Sequence, residues 1–323
     1  MSETAATPEV ESLSLSTPSG DLELLTCVPP GSQKAPMLCL HGAFCSAEDY
    51  RNFLIFFASH DYPTYSLSLR GHGKSWPMSW VTRTLLTSLD NYVEDIMAAA
   101  SLIKQLHPGA PPIVLVGHSF GGGHMQYLLS QHQNNVSQIQ FGGLVLLAAA
   151  PLSGGGKEIM ANWEKVEAPD GYKYPWSSRS QLDTLAQVRA AFFQPETPEE
   201  TVTRWLSDCK TESEGIRTGL SVFWPFGIAN DVLKSLVGIG GNAEQSRKVL
   251  LISGSDDLLV TASMVEENAK AYQAALEEFP GNRETGDSNE VITTISISGS
   301  AHHLMMDIAW EDCALRIVNW MEG

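Results

Sequence analysis

Residues 112–124 read PIVLVGHSFGGGH: from Pro112, a largely β-branched run (Ile113-Val114-Leu115-Val116) enters Gly117-His118-Ser119-Phe120-Gly121 and continues at helical spacing. The pattern predicts a strand, a sharp turn carrying a serine, and a helix. A G-x-S-x-G string alone arises by chance in roughly one chain of this length in ten, so its setting carries the weight. A serine on so tight a turn adopts a strained backbone conformation, and only glycine two positions to either side lets strand and helix approach closely. Gly117 and Gly121 provide that space. Ser119 is therefore the candidate nucleophile.

A serine hydroxyl is a weak nucleophile at neutral pH and needs a base within hydrogen-bond reach, oriented by a carboxylate. Of the nine histidines, His41 and His72 lie in glycine turns and His118 lies inside the serine turn, while His60, His107, His124 and His132 fall on or beside predicted helices. Only His302 and His303 follow a late predicted strand, in the stretch SISGSAHHLMMD. The acid is sought in the same way: the strand KVLLIS runs into Gly254-Ser255-Asp256-Asp257-Leu258-Leu259-Val260. Loop carboxylates are commonly just solvated, but here serine, aspartate and histidine each follow a different strand, in that order along the chain. An oxyanion hole needs two backbone N–H groups aimed at developing charge. Phe120, just after the nucleophile, supplies one. Ala43 is the first candidate for the other, in the turn His41-Gly42-Ala43-Phe44 after the strand PMLCL.

Outward from this centre, strands and helices alternate. Val10–Ser16 and Leu22–Val28 predict an antiparallel hairpin around Pro18-Ser19-Gly20-Asp21. Strands are expected at Pro36–Leu40, Thr64–Leu69, Ile113–Val116, Gly143–Ala150, Lys248–Ser253 and Val291–Ser298. Helices are expected at Ala47–Ser59, Thr84–His107, from the serine to about Gln133, at Ala262–Phe279 and at Met306–Met321. Such alternation means an α/β protein with a mainly parallel sheet covered by helices on both faces. Residues 1–9 read as a disordered start, and 10–151 with 246–323 as one core. Between them, 152–245 shows no convincing strand, several helical patterns, and Trp163, Trp176, Trp205 and Trp224 with Phe192, Phe193, Phe223 and Phe226. The expectation is an inserted helical lid over the carboxyl edge of the sheet, where ligands bind in such folds. Phe44, Trp163, Trp176 and Trp224 are the candidate substrate contacts; an ordinary helical subdomain with an aromatic core is the plainer alternative.

The composition narrows the classes of function. The chain has 323 residues, 43% hydrophobic, and a formal charge of −17; that acidity argues against nucleic acid and anionic membrane surfaces, which recruit basic patches. No apolar run reaches the roughly 18 residues of a bilayer span. The polar, acidic amino-terminal stretch MSETAATPEVES lacks the features of a secretory leader. Five scattered cysteines without metal spacing (Cys27, Cys39, Cys45, Cys209, Cys313) fit free thiols in a reducing compartment. The expectation is a soluble cytoplasmic protein with no cofactor and no metal; its oligomeric state is not legible.

In combination, these motifs resemble the α/β-hydrolase superfamily, in its serine-nucleophile branch with a helical lid, over nearly the whole chain outside the insertion. The superfamily's HG-x turn matches His41-Gly42-Ala43, its R-G-x-G-x-S loop matches Arg70-Gly71-His72-Gly73-Lys74-Ser75, and its nucleophile elbow matches Gly117–Gly121. The acid motif G-x-x-D-x-x-V aligns with Gly254, Asp257 and Val260, and so favours Asp257 over Asp256. The histidine motif sets a small residue before the histidine and an acidic one five positions after; Ala301, His302 and Asp307 fit, and His303 does not. There are two departures: Ser68 stands where the family usually has aspartate, expected to alter a structural hydrogen bond, and Ala301 stands where glycine is usual.

The resemblance implies a catalytic triad of Ser119, Asp257 and His302, with Ala43 and Phe120 as the oxyanion hole. The first expectation is hydrolysis of a carboxylic ester or lactone of a small, largely apolar molecule through an acyl-enzyme. Carbon–carbon bond hydrolysis, or acyl transfer or cyclisation in a biosynthetic pathway, would use the same residues. A non-catalytic ligand receptor of the same fold is a third reading, disfavoured because no triad member is missing.

Overall fold

The computed structural model describes residues 9–166, 182–211, 214–239, 247–278 and 291–323. Eight strands form the sheet: β1 (Glu11–Thr17), β2 (Gly20–Cys27), β3 (Met37–Leu40), β4 (Thr64–Leu67), β5 (Ile113–His118), β6 (Phe141–Leu147), β7 (Val249–Gly254) and β8 (Ile292–Ile297). Their spatial order is β1-β2-β4-β3-β5-β6-β7-β8. The first hairpin and the β2–β4 pair are antiparallel, and every other pair is parallel. This is the mainly parallel α/β sheet that the alternation of apolar runs predicts.

Because side chains alternate across a strand, β5 feeds two cores. Ile113 and Leu115 pack on one face against α2 (Leu89–Leu106), α3 (Phe120–Gln131) and α10 (Ala262–Glu277). Val114 and Val116 pack on the other against α1 (Arg51–Ser59) and the last helix, α11 (Trp310–Glu322). Each fully buried aliphatic side chain of this kind contributes about 1.5–3 kcal/mol. A short helix α4 (Gln133–Ile139) follows α3 before β6.

Three helices differ from expectation, each for a local reason. The expected Thr84–His107 helix breaks at Thr87: a wide turn covers Thr82–Leu86, and α2 starts afresh where the Ser88 N–H donates to the Asn91 side chain. Serine and threonine favour such caps over helix interiors because their side chains compete for backbone groups. The Ala47–Ser59 helix opens with a 3-10 turn, Ala47–Tyr50, capped by Ser46. The last helix begins at Trp310 rather than Met306, since the Met306 and Asp307 N–H groups both close onto the His303 carbonyl.

Between β6 and β7 the described residues hold helices only: α5 (Gly156–Lys165), α6 (Leu185–Phe192), α7 (Glu199–Arg204), α8 (Ile216–Gly219) and α9 (Ala229–Lys234), with isolated bridges at Phe141–Leu236 and Ile239–Arg247. Val188, Phe192, Phe193, Val202 and Trp205 form a separate apolar cluster with Phe44, Leu259 and Met306 from the loops at the sheet's carboxyl edge. By contrast, Phe226, Val232, Leu233 and Leu236 join the main core beside α3 and α10. Among the described residues no helix is long and apolar enough to cross a membrane.

Candidate active site

Parallel strands deliver their following loops to one edge of a sheet, and the loops after β3, β5, β7 and β8 meet there. At the end of β5, Ser119 adopts φ 50° and ψ −120°, left-handed backbone that a residue with a Cβ adopts only when its surroundings enforce it. The flanking glycines show what enforces it. A Cβ on Gly117 would lie 2.7 Å from the Gly122 Cα, and one on Gly121 would lie 2.2 Å from the His41 carbonyl oxygen and 2.7 Å from that of Leu40. Strand, turn and helix are in backbone contact, so the serine is lifted from the sheet edge.

His302 lies over it. Its Nε2 is 3.0 Å from Ser119 Oγ, and its Nδ1 is 2.8 Å from Asp257 Oδ2. The other oxygen of Asp257 accepts the N–H groups of Leu259 (2.8 Å) and Val260 (3.0 Å), which fixes the carboxylate. Asp257 accepts only, so Nδ1 carries a proton and the Nε2 lone pair faces the serine hydroxyl. The loop bearing His302 is pinned on both sides: the Ala301 N–H donates to Asp307 Oδ2 at 2.6 Å, and the His302 carbonyl faces His118 Nε2 at 3.0 Å. With alanine at 301 in place of the usual glycine, the backbone N–H still donates to Asp307. Asp256 lies apart from this chain of hydrogen bonds and accepts from the Gln194 side chain.

Ala43 and Phe120 line the same cavity as Ser119 and His302. No carbonyl of a turn or loop among the described residues accepts either N–H, and Phe120 heads α3, whose first N–H groups have no intrahelical partner. The cavity encloses about 170 Å³ and is otherwise lined mainly by apolar groups, among them Phe44, Ile159, Met160, Trp163, Phe192, Val222 and Leu259. Phe44 and Trp163 stack with centroids 6.4 Å apart, so both expected contacts are at the wall. Trp224 is not: it is 62% exposed, while its backbone carbonyl and that of Val222 pack against Gly154. Trp176 lies outside the described residues. Phe192, noted in the sequence as one of the segment's aromatics but not as a substrate contact, is at the wall, and so are Val222 and Glu214, which sequence reasoning missed because no local pattern distinguishes them.

His303 has a partner of its own. Its Nε2 pairs with Asp49 Oδ1 at 2.9 Å, and Asp49 also accepts the Ser46 N–H and the Trp205 indole N–H, each at 2.8 Å. Burial alone would raise the Asp49 carboxyl, but His303 and these donors hold it below the usual carboxylate range. Among the described residues, Cys45, His118 and His303 form a buried group whose donor atoms lie within 4.8 Å of one another. Burial, then the Asp49 charge, push the Cys45 thiol up, and burial holds the His118 imidazole neutral. His118 joins this group to the candidate site through its contact with the His302 carbonyl. The Ser68 departure is also explained: Ser68 Oγ donates to Glu23 Oε2 at 2.8 Å, so Glu23 on β2 brings the carboxylate.

The description "Alpha/beta hydrolase family" fits residues 37–312. The chain is similar to a non-heme haloperoxidase from Rhodococcus erythropolis, 25% identical over 260 residues that cover 76% of this chain and 84% of the relative. It is also similar to a bifunctional esterase/perhydrolase from Acinetobacter calcoaceticus, 27% identical over 122 residues, 38% of this chain and 39% of that protein. A thermophilic esterase from Thermogutta terrifontis shares the fold with a TM-score of 0.60 and 15% identity, over 97% of this chain and 98% of that one. With the family's pattern spanning sheet, elbow and histidine loop alike, the chain belongs to the alpha/beta hydrolase family.

Proposed function

We propose that this protein is a serine hydrolase that cleaves carboxylic esters or lactones of small, largely apolar molecules through an acyl-enzyme. The observation that carries the reading is the hydrogen-bonded series Ser119, His302, Asp257 opening onto an apolar cavity. Ser119 Oγ attacks the carbonyl carbon as its proton passes to His302 Nε2. The resulting oxyanion is held by the N–H groups of Ala43 and Phe120, a contribution usually worth about 3–4 kcal/mol of barrier. Collapse breaks the ester bond, and His302 returns the proton to the departing alcohol; water, deprotonated by the same nitrogen, then releases the acid. Asp257 holds the imidazole in the required tautomer throughout.

Within the expected lid, 152–245, it is α5 to α7 that serve as the cover, with α5 and Phe192 of α6 lining the cavity beside Ser119. An apolar cavity of about 150 Å³ accommodates benzene, so the 170 Å³ here suits a single ring or a short acyl chain. The similarity to an esterase/perhydrolase favours a second outcome for the same acyl-enzyme, transfer of the acyl group to hydrogen peroxide. The test is a panel of small aryl and alkyl esters, with and without peroxide, given to the protein and to Ser119→Ala. Acid release by the protein alone is expected, and equal turnover by both forms would refute the proposal.

A further inference from the structure

Cys45, His118 and His303 take no part in the acyl-transfer steps, yet they meet from three separate places: the loop after β3, the last residue of β5 and the loop after β8. Each adjoins a residue of the candidate site, for Ala43 lies two before Cys45, Ser119 follows His118, and His302 precedes His303. All three are at most 1% exposed, and each offers a donor atom within 4.8 Å of the other two. The outer contacts of the imidazoles fix what they offer. His118 Nε2 lies 3.0 Å from the His302 carbonyl, which can only accept, so Nε2 carries the hydrogen and Nδ1 a lone pair. That Nδ1 is turned to the loop bearing Cys45, 2.9 Å from where a Cβ on Gly42 would lie, and it is buried with no hydrogen-bond partner among the described residues. His303 Nε2 meets Asp49 at 2.9 Å, and its Nδ1 is likewise buried without a hydrogen-bond partner among those residues. Buried side-chain nitrogens nearly always have a partner, so two orphans beside one thiol call for an explanation.

We propose that Cys45, His118 and His303 bind one zinc(II) ion, which ties together the loops bearing Ala43, Ser119 and His302. One thiolate and two imidazoles suit a borderline-soft cation, whereas magnesium and calcium take oxygen ligands. Zn–N bonds of about 2.0–2.1 Å and a Zn–S bond of about 2.3 Å require ligand atoms roughly 3.3–3.8 Å apart, so movements of about 1 Å close the group. A carbonyl behind His118 and a carboxylate behind His303 are the outer partners that hold a metal-binding imidazole in its tautomer and orientation. Binding forms one Zn–S and two Zn–N bonds and releases the Cys45 thiol proton to solvent. The thiolate and the Asp49 carboxylate then balance both charges of the ion, which favours zinc(II) over copper(I) and leaves no net charge buried.

The group is closed to solvent in the folded chain, so the metal enters as the chain folds. The reduced full-length protein is therefore prepared in two ways: from cells grown with added zinc, and by refolding from urea with excess Zn²⁺, or with Co²⁺ as the spectroscopic probe. One zinc per chain is expected to survive dialysis and to raise the thermal midpoint by about 5 °C or more over the metal-free protein. Cobalt is expected to give a thiolate-to-metal charge-transfer band. Both the bound zinc and the band are expected to vanish in Cys45→Ser and in His303→Gln, with circular dichroism confirming that each variant is folded; either variant alone decides if the other does not fold. Zinc well below one per chain in both preparations of the unaltered protein, or a band that survives in either folded variant, overturns the proposal. None of these readings depends on turnover, so they stand or fall apart from the serine-hydrolase reading.

Discussion

Ser119, His302 and Asp257 are separated by long stretches of chain, yet each is legible because a short local signature marks it: glycines two residues either side, a small residue before, or a G-x-x-D-x-x-V frame. The physical content of those signatures is steric. At Gly121 a side chain would collide with the His41 and Leu40 carbonyls, so the glycine is dictated by the turn itself. The choice of His302 over His303 is also local, resting on the spacing to Asp307. What is not legible is what His303 does, because its partners Asp49 and Trp205 meet it only in the folded chain. Glu214 escapes notice for the same reason: a carboxylate in a polar stretch, with Glu212 two residues before it, carries no mark of burial. At this scale, Asp257→Asn is expected to lower kcat by roughly 10⁴-fold, the loss that follows when a serine triad gives up control of its histidine tautomer. Steady-state hydrolysis of a small ester checks it; a loss under tenfold would mean that Asp257 does not orient His302.

Helices and strands are legible where an apolar period is long and unbroken, as in β5 to β7 and α10. The departures fall where side chains compete with the backbone: Thr87 and Ser88 divide a continuous apolar pattern because Ser88 and Asn91 cap a new start. The insertion is legible as helical but not in its packing. Its helices split their allegiance, α6 and α7 joining Trp205 over the carboxyl edge of the sheet and α9 joining the main core. Two carboxylates stitch the insertion to that edge. Asp49 accepts from Trp205, and Asp307, which accepts the Ala301 N–H, also accepts from the Gln194 backbone and the Thr197 hydroxyl. The loop carrying His302 is thereby held by the inserted segment as well as by the sheet.

Across the whole molecule, burial of titratable groups sets the acid limit of stability. Burial lowers His41, His72 and His118, and takes His124 to about 3. An unfolded imidazole takes up its proton near 6.5, so below that pH the unfolded chain binds more protons than the native one. Stability is then fully present above about pH 6.5 and falls as pH drops toward the native values. Urea midpoints at pH 7.5, 6.5, 5.5 and 4.5 are expected to decline from 6.5 downward, with an uptake approaching one proton per buried imidazole on unfolding. Midpoints flat to pH 4.5 would show that these histidines are not held neutral. The central claim, that Ser119 is a nucleophile activated by His302, is tested most directly by mapping where a fluorophosphonate attaches, using mass spectrometry of the digested protein. The account predicts one adduct, on Ser119, absent in Ser119→Ala and formed far more slowly in His302→Ala; no adduct, or an adduct on another residue, would contradict it.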